Sequence, residues 1–170
     1  MHTRDISQAA SQKMPAMSFL FRRLTVADLP SFAGMVGKKT LPRYRENFAR
    51  GDLCHGAFEG DRLVGFGWTS LKGGFDERTG LRIDLGPGEA YVYHFLVNPE
   101  YRGQDIGPAL GLVNDAYLAT QGVVRTLLVA SFRNYAAGRA IQSVNTRAVK
   151  MIYLLRILGK NFQFERRLRG

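Results

Sequence analysis

The residues best suited to chemistry lie between Val97 and Leu110, where a predicted strand is followed by a short turn and the start of a helix. The first backbone amides of a helix lack intrahelical partners, and the helix dipole adds partial positive charge there. Gly103 and Gly107 would let a phosphate approach the backbone closely, and Arg102 adds a positive charge. The stretch therefore predicts a site for a phosphate-bearing ligand, with an ordinary strand-to-helix turn as the alternative.

The sequence gives little support for metal chemistry. Zinc sites usually show paired ligands at short spacing, whereas the candidate ligands here are scattered along the chain: His2, Cys54, His55 and His94. We therefore expect no metal. One cysteine cannot form an internal disulfide, and no apolar run precedes a cleavage site near the N-terminus. These features favour a cytoplasmic protein.

The composition indicates one folded domain. The 170 residues are 45% hydrophobic and 22% charged, and no apolar run approaches the roughly 20 residues that span a bilayer. The net charge is +10, from 24 Lys and Arg against 14 Asp and Glu, and such a field attracts polyanions. The basic residues are scattered, however, and only Arg166, Arg167 and Arg169 form a tight cluster. A solvated basic surface is therefore favoured over nucleic-acid binding.

Hydrophobic periodicity and turn residues predict the elements that must position this site. Residues 1–17 are expected to form a flexible tail before a domain at 18–170. Strands are predicted at 19–24, 55–59, 63–70, 90–97, 125–132, 149–158 and 162–168. Helices are predicted at 26–36, 42–50, 106–121 and 134–144, and a mobile loop at 72–88. This order is that of a mixed α/β domain rather than a doubly wound one.

Three segments together resemble the GNAT superfamily of acyl-CoA-dependent N-acyltransferases. The phrase Val97-Asn98-Pro99 followed by Arg102-Gly103-Gln104-Asp105-Ile106-Gly107 is similar to the family's signature turn. Asn134 to Ala140 looks like the helix entry after the family's fifth strand. Gly60 to Phe66 looks like its hairpin between strands two and three. The resemblance covers about residues 18–168, and the order of elements agrees throughout.

The resemblance implies a fold and a reaction. The fold would be α+β, a single domain with a central, mostly antiparallel sheet that is splayed between its fourth and fifth strands and flanked by helices. The reaction would transfer an acyl group from acetyl-CoA or a related acyl-CoA to a small-molecule or peptide amine. In that reaction the amine attacks the thioester carbonyl directly, and a strand amide stabilises the oxyanion.

The resemblance also implies which residues hold the cofactor. The pyrophosphate would lie on the amides of the signature turn: Arg102, Gly103, Gln104, Asp105, Ile106 and Gly107. The pantetheine would run along the end of the fourth strand: Phe95, Leu96 and Val97. Asn134 would approach the cofactor from the far side of the splay.

Two residues are candidates for proton transfer. Many relatives place a glutamate base three residues before the motif's valine, and that position is His94 here, whose unperturbed pKa near 6.5 suits a general base. A hydrogen-bonded strand histidine is the alternative. The family's tyrosine acid falls on Ile141, so Tyr135 and Tyr153 are substitutes by residue type only. Period-2 alternation predicts that Tyr91 and Tyr93 lie on the opposite strand face from His94.

Departures from the family pattern favour a second hypothesis. Asp105 replaces the first motif glycine, and its carboxylate would repel a pyrophosphate unless an N-cap role turned it toward the helix amides. Together with His94 and Ile141, this favours an acyl-CoA-binding sensor or partner module with little catalysis. The two apolar C-terminal strands would complete the sheet or pair with a second subunit, which makes a homodimer plausible.

Overall fold

The computed structural model describes residues 1–6, 18–76, 80–131 and 146–168. The strands are β1 (His2–Asp5), β2 (Leu20–Leu24), β3 (Leu53–Glu59), β4 (Arg62–Ser70), β5 (Gly74–Asp76), β6 (Leu81–Ile83), β7 (Glu89–Val97), β8 (Arg125–Leu128), β9 (Arg147–Ala148), β10 (Lys150–Ile157) and β11 (Lys160–Arg167). The helices are α1 (Leu41–Ala49) and α2 (Ile106–Thr120), with 3-10 segments at Val26–Gly34, Lys38–Thr40 and Pro99–Tyr101. The predicted strand at 90–97 and the predicted helix at 106–121 thus match β7 and α2 to within one residue at each end.

A seven-stranded sheet in the order β2-β3-β4-β7-β8-β1-β9 forms the centre of the domain. Among the strands described, β7 and β8 pair in parallel and the other neighbours pair antiparallel. The predicted mixed α+β domain with a mostly antiparallel sheet is therefore confirmed. The predicted loop at 72–88 contains a small hairpin, β5 with β6. Neither helix in the described ranges has the length and apolarity that crossing a membrane requires.

The sheet splays at the point where β7 continues beyond its pairing with β8. Their pairing extends from Glu89 opposite Arg125 to Val92 opposite Leu128. On its other side, β7 stays paired with β4 as far as Val97. Within the described residues, the end of β7 thus has a strand on one side only, and its backbone on the β8 side is open. This is the splay that the resemblance implies.

Helices cover the two faces of the sheet with different side chains. On one face, α2 packs Ile106 and Leu110 against Ala57 and Val64. On the other face, α1 and the 3-10 segment Val26–Gly34 pack against β4. These three elements share an aromatic cluster of four buried residues: Phe32, Tyr44, Phe66 and Trp68. These aromatic rings bury large apolar areas and fix the position of α1 beside β7.

The first predicted helix is a 3-10 segment. Asp28 accepts a 2.8 Å hydrogen bond from the backbone N–H of Thr25, which marks the predicted start. Pro30 lies inside the segment and lacks a backbone N–H. Since proline cannot complete the i to i−4 pattern, the segment does not continue as an α-helix.

The prediction of a flexible tail is wrong for His2–Asp5. These residues form β1, which lies between β8 and β9 in the sheet. Arg4 forms a buried 2.8 Å ion pair with Asp115 of α2, and the side chain of Ile6 is fully buried. The strand depends on these tertiary contacts, which a short polar sequence does not reveal. Residues 7–17 lie outside the described residues.

The two predicted C-terminal strands pair with each other. β10 and β11 form an antiparallel ribbon that is separate from the seven-stranded sheet. Several of its apolar side chains are exposed: Met151, Tyr153, Leu154, Leu155, Ile157, Phe162 and Phe164. The ribbon therefore does not complete the main sheet.

Candidate active site

The turn before α2 presents unpaired backbone donors. Within the described residues, the N–H groups of Gly103 to Gly107 donate to no backbone carbonyl, and the first bond of the helix runs from Ala109 N–H to the Asp105 carbonyl. Gly103 has φ +80°, and a Cβ placed there would meet nothing within 4 Å. Glycine adopts this left-handed conformation without strain. Free donors beside open space at a helix N-terminus fit a phosphate group.

Asp105 occupies the N-cap position of α2 but does not act as its cap. Its backbone is left-handed, with φ +55° and ψ +14°, and its side chain makes no capping hydrogen bond. The carboxylate is therefore not turned toward the helix amides as an N-cap role would require. Aspartate tolerates this conformation better than most residues, although glycine adopts it more readily. The backbone thus keeps a glycine-like geometry where the sequence adds a negative charge.

A β-bulge lies where the sheet begins to splay. Trp68 of β4 faces Tyr93, and Phe66 faces Leu96, so that Gly67 alone lies opposite both His94 and Phe95. His94 has φ +47°, an uncommon value for a residue with a side chain. A bulge inserts one residue into a strand and changes the direction of the side chains that follow.

Phe95 lies on the α2 side of this bulge. A Cβ placed on Gly67 would lie 2.6 Å from Cδ2 of the Phe95 ring, so the ring covers this glycine. A Cβ on Gly107 would lie 3.8 Å from Cε1 of the same ring. Phe95 is 42% exposed. It therefore forms an apolar wall between the open end of β7 and the turn with free amides.

The two residues after Phe95 are less exposed, and each packs into the hydrophobic cluster on a different face of the sheet. Leu96 packs against the aromatic cluster, and Val97 packs against the cluster beneath α2. The structure thus brings Phe95, Val97, Ile106 and Gly107 to one side of the sheet and places Leu96 on the other. Arg102 and Gln104 are exposed in the same turn.

His94 lies on the α1 side of the sheet. Its Nε2 is 2.9 Å from the Tyr44 hydroxyl, and its ring packs against Tyr44 and Phe66. Tyr93 stacks with Trp68 of the same aromatic cluster, and Tyr91 stacks with Tyr93. The prediction that these tyrosines lie on the opposite face from His94 is wrong, because the bulge interrupts the period-2 alternation.

The surroundings of His94 favour its neutral form. Desolvation lowers the pKa of the imidazole below 6.5, and the nearby positive charge of Arg43 lowers this pKa further. Burial raises the pKa of the Tyr44 phenol, so this hydroxyl stays protonated. In the tautomer in which Nε2–H donates to the Tyr44 oxygen, Nδ1 carries a lone pair that can accept a proton.

A second hydrogen-bond network holds the residue before His94. The Tyr93 hydroxyl donates a 2.6 Å hydrogen bond to Oδ2 of Asp52, which also accepts a 2.8 Å bond from Arg50. The backbone N–H of Asp52 donates to the carbonyl of Asn47 near the end of α1. Sequence reasoning missed Tyr44, Arg43 and Asp52, since no local pattern connects α1 with a strand about fifty residues later.

The other residues singled out from the sequence lie on the C-terminal ribbon or outside the described residues. Asn134, Tyr135 and Ile141 lie outside the described residues. Tyr153 lies on the C-terminal ribbon and is 47% exposed.

In the described part of the chain, no three His, Cys, Asp or Glu side chains are grouped closely enough to hold a metal ion. A cavity of about 710 Å³ opens elsewhere, lined by residues that include Thr3, Glu89, Arg125 and Lys150.

A family model described as the acetyltransferase (GNAT) family matches residues 21–150, which is most of the chain and includes the turn, the bulge and α1. The chain belongs to the GNAT family. It is accordingly an acyl-CoA-dependent N-acetyltransferase by class. No curated protein matches the chain in sequence.

Solved structures share the GNAT fold. A ribosomal-protein-alanine N-acetyltransferase from Brucella melitensis biovar Abortus 2308 is 20% identical, with a TM-score of 0.63 over 82% of this chain and 99% of that one. An aminoglycoside N-acetyltransferase in complex with CoA is 16% identical, with a TM-score of 0.64 over 81% and 98%. The PaiA N-acetyltransferase from Thermoplasma acidophilum in complex with coenzyme A is 19% identical, with a TM-score of 0.51 over 89% and 100%. At such identities the likeness shows the fold.

Proposed function

We propose that this GNAT protein transfers the acetyl group of acetyl-CoA to the amine of a small molecule or peptide, with His94 as general base. One observation carries the proposal: the bulge at the splay directs Phe95 toward the turn with free amides and His94 toward α1. Two adjacent residues thus face two chemically different surroundings. A cofactor side and an acceptor side that meet at an open strand end are what acyl transfer between two molecules requires.

The cofactor side is formed by the turn and the end of β7. The free N–H groups from Gly103 to Gly107 would hold the pyrophosphate, with Arg102 adding charge, and Phe95 would cover the pantetheine. The open backbone of β7 beyond Val92 offers hydrogen-bond partners to an extended group. Acetyl-CoA, when bound, supplies a thioester carbonyl that a free amine can attack.

His94 would remove the proton that blocks this attack. An alkyl ammonium is mostly protonated at neutral pH, so the amine needs a base close to it. The pKa of His94 lies below 6.5, and the imidazole is therefore neutral at pH 7. Tyr44 fixes the ring through Nε2, which leaves Nδ1 to accept the proton. Tyr135 remains a proposed acid, on residue type alone.

One observation favours a second function, that of an acyl-CoA sensor with little catalysis. The Asp105 carboxylate stands at the N-terminus of α2 without a capping hydrogen bond. A negative charge at this position opposes the binding of pyrophosphate, because it offsets the charge of the free amides and the helix dipole.

Thiol release separates the two functions. Purified protein is incubated with acetyl-CoA and a panel of small amines and short peptides, and free CoA thiol is followed with time. Calorimetric titration with acetyl-CoA is run on the same preparation. The proposed enzyme shows binding and amine-dependent thiol release. Binding without thiol release for any amine indicates the sensor, and absence of both contradicts the assignment of the turn as a cofactor site.

A further inference from the structure

Three cations lie around the surface that His94 and Tyr93 face. Arg43 and Arg50 are seven residues apart around α1, which places them on the same side of the helix. Arg43 is next in sequence to Tyr44, which is hydrogen-bonded to His94. Arg50 donates a hydrogen bond to Asp52, which also accepts one from Tyr93. Lys72 donates a 2.9 Å hydrogen bond to the Arg50 carbonyl. We call Arg43, Arg50 and Lys72 the basic rim.

The basic rim has three cations and two nearby acids, Asp52 and Glu46. Glu46 lies on the same side of α1, three residues after Arg43 and four before Arg50. Asp52 is 7% exposed, and its Oδ2 is already shared by Arg50 and Tyr93. No salt bridge between residues in the described ranges includes Arg43 or Lys72. Arg43 is exposed and lies close enough to His94 to act on its charge. The acceptor side therefore has one more positive than negative charge, and among the described residues Arg43 forms no ion pair.

We infer that the amine acceptor carries a compact oxyanion, a carboxylate or a phosphate, which Arg43 binds while the amine lies at His94. This inference rests on the proposed function and names the substrate class for its acceptor side. A guanidinium binds either oxyanion through two parallel N–H groups, and such charge-assisted hydrogen bonds are among the strong ones. A polycationic amine would instead meet the excess positive charge of the basic rim.

The position of Arg43 suits orientation as well as binding. Tyr44 fixes His94 from the next residue along the same helix. The group that would bind the oxyanion, Arg43, and the group that fixes His94, Tyr44, are thus neighbouring residues of one rigid element, α1. Two-point binding of this kind orients the nitrogen for attack and reduces the entropy that is lost in the reaction.

Matched acceptors test the inference. Thiol release from acetyl-CoA is measured at pH 8.5, where His94 is neutral with or without the charge of Arg43. The acceptors are β-alanine, phosphoethanolamine, aminopropanol and diaminopropane, which are similar in size and differ in charge. We expect kcat/KM to be at least about tenfold higher for one or both oxyanion-bearing amines than for aminopropanol, and lowest for diaminopropane. The better of β-alanine and phosphoethanolamine identifies the oxyanion.

Arg43→Gln and Arg45→Gln form a matched pair of variants. Both residues are exposed on α1 and flank Tyr44, and Arg45 lies on the side of the helix away from Arg43 and Arg50. Arg43→Gln is expected to lower kcat/KM for the oxyanion-bearing amine to about that of aminopropanol, so that the preference is lost. Arg45→Gln is expected to keep the preference.

Three results would overturn the inference. These are equal or faster turnover of aminopropanol or diaminopropane, an unchanged preference in Arg43→Gln, and no turnover of any of the four acceptors. The first two leave the proposed function standing, because turnover itself is observed. Failure of the wider amine panel to release thiol from bound acetyl-CoA contradicts the proposed function as well, so the two failures are distinguishable.

Discussion

At the scale of single residues, Asp105 combines a backbone suited to glycine with a negative charge. Its φ of +55° places it in the left-handed region, and its side chain is not used for capping. These two properties can be separated by substitution. Glycine removes both the strain and the charge, whereas asparagine removes the charge and keeps a side chain that tolerates the conformation.

We predict that Asp105→Asn and Asp105→Gly both bind CoA more tightly than the wild type, because the charge beside the pyrophosphate is gone. Asp105→Gly alone should also raise the free energy of unfolding, by roughly 0.5–1 kcal/mol, since the strain is relieved. Calorimetric titration with CoA and urea unfolding provide the two readouts. Unchanged CoA affinity in both variants would show that the carboxylate does not weaken cofactor binding.

His94 and Arg43 are coupled through charge. The pKa of the imidazole lies below 6.5 for two reasons: desolvation by the surrounding rings, which is the larger, and the positive charge of Arg43, which disfavours protonation of His94. The phenol of Tyr44 is neutral and Phe66 is apolar, so Arg43 is the charged neighbour that a substitution can remove.

We predict that kcat/KM rises with pH through the lowered pKa of His94 and reaches a plateau above it. Because Arg43→Gln removes the repulsion, its rising limb should lie at higher pH than in the wild type. Arg45→Gln should leave the limb in place. The measurement is thiol release from pH 5 to pH 9 with aminopropanol, an acceptor that carries no charged group besides its amine. A limb that persists in His94→Gln would show that another group titrates.

At the scale of elements, the bulge in β7 sets the sides of the sheet to which His94 and Phe95 point, and it was not predictable. The sequence from Ala90 to Val97 reads as a continuous strand, and its extent was predicted correctly. Pairing one glycine, Gly67, with two residues is a property of two strands together, so a single strand's pattern does not show it. The side of His94 was therefore predicted wrongly, although the residue itself was identified.

Elements with strong local signals were predicted well. α2 has apolar residues at helical spacing and ends before Gly122, whose φ is +76°, and the hairpin of β3 and β4 has a Gly60-Asp61 turn. β1 has no such signal, because its place in the sheet depends on β8 and on Asp115. The splay and the cofactor residues came from the family resemblance rather than from periodicity.

We predict that Gly67→Ala disturbs the bulge. A Cβ there would lie 2.6 Å from the Phe95 ring, so the ring must move from its position beside Gly107. The expected cost is about 1–3 kcal/mol of stability, with weaker acetyl-CoA binding. Gly37→Ala is the control, since a Cβ at Gly37 meets nothing within 4 Å. Urea unfolding and calorimetry measure both effects, and wild-type values for Gly67→Ala would contradict the placement of Phe95.

At the scale of the whole molecule, a buried ion pair links the N-terminal strand to α2, the helix that follows the turn with free amides. Arg4 of β1 and Asp115 of α2 lie 2.8 Å apart, and both side chains are buried. Desolvation raises the pKa of Asp115 from 3.8 to about 6, and the attraction of Arg4 opposes this rise. Folding therefore favours the protonated carboxyl.

We predict a pH-dependent stability from this pair. Asp115 contributes stability that is fully present below its unfolded pKa of 3.8 and is lost as the pH rises through its folded pKa of about 6. Relative to Asp115→Asn, the wild type should lose on the order of 2 kcal/mol of unfolding free energy between pH 4 and pH 7. Urea unfolding at each pH measures this difference. Asp61→Asn, at an exposed turn, should parallel the wild type, and a parallel result for Asp115→Asn would contradict the buried environment.

The most direct test of the central claim compares His94→Gln with the wild type in acetyl-CoA binding and in thiol release with a saturating acceptor. Under the proposed function the two activities lie on opposite sides of the sheet, so they should separate. We predict that calorimetric affinity for acetyl-CoA is unchanged and that kcat falls by at least about a hundredfold at pH 8, because the base is lost. Full turnover by His94→Gln would contradict the assignment of His94 as the base.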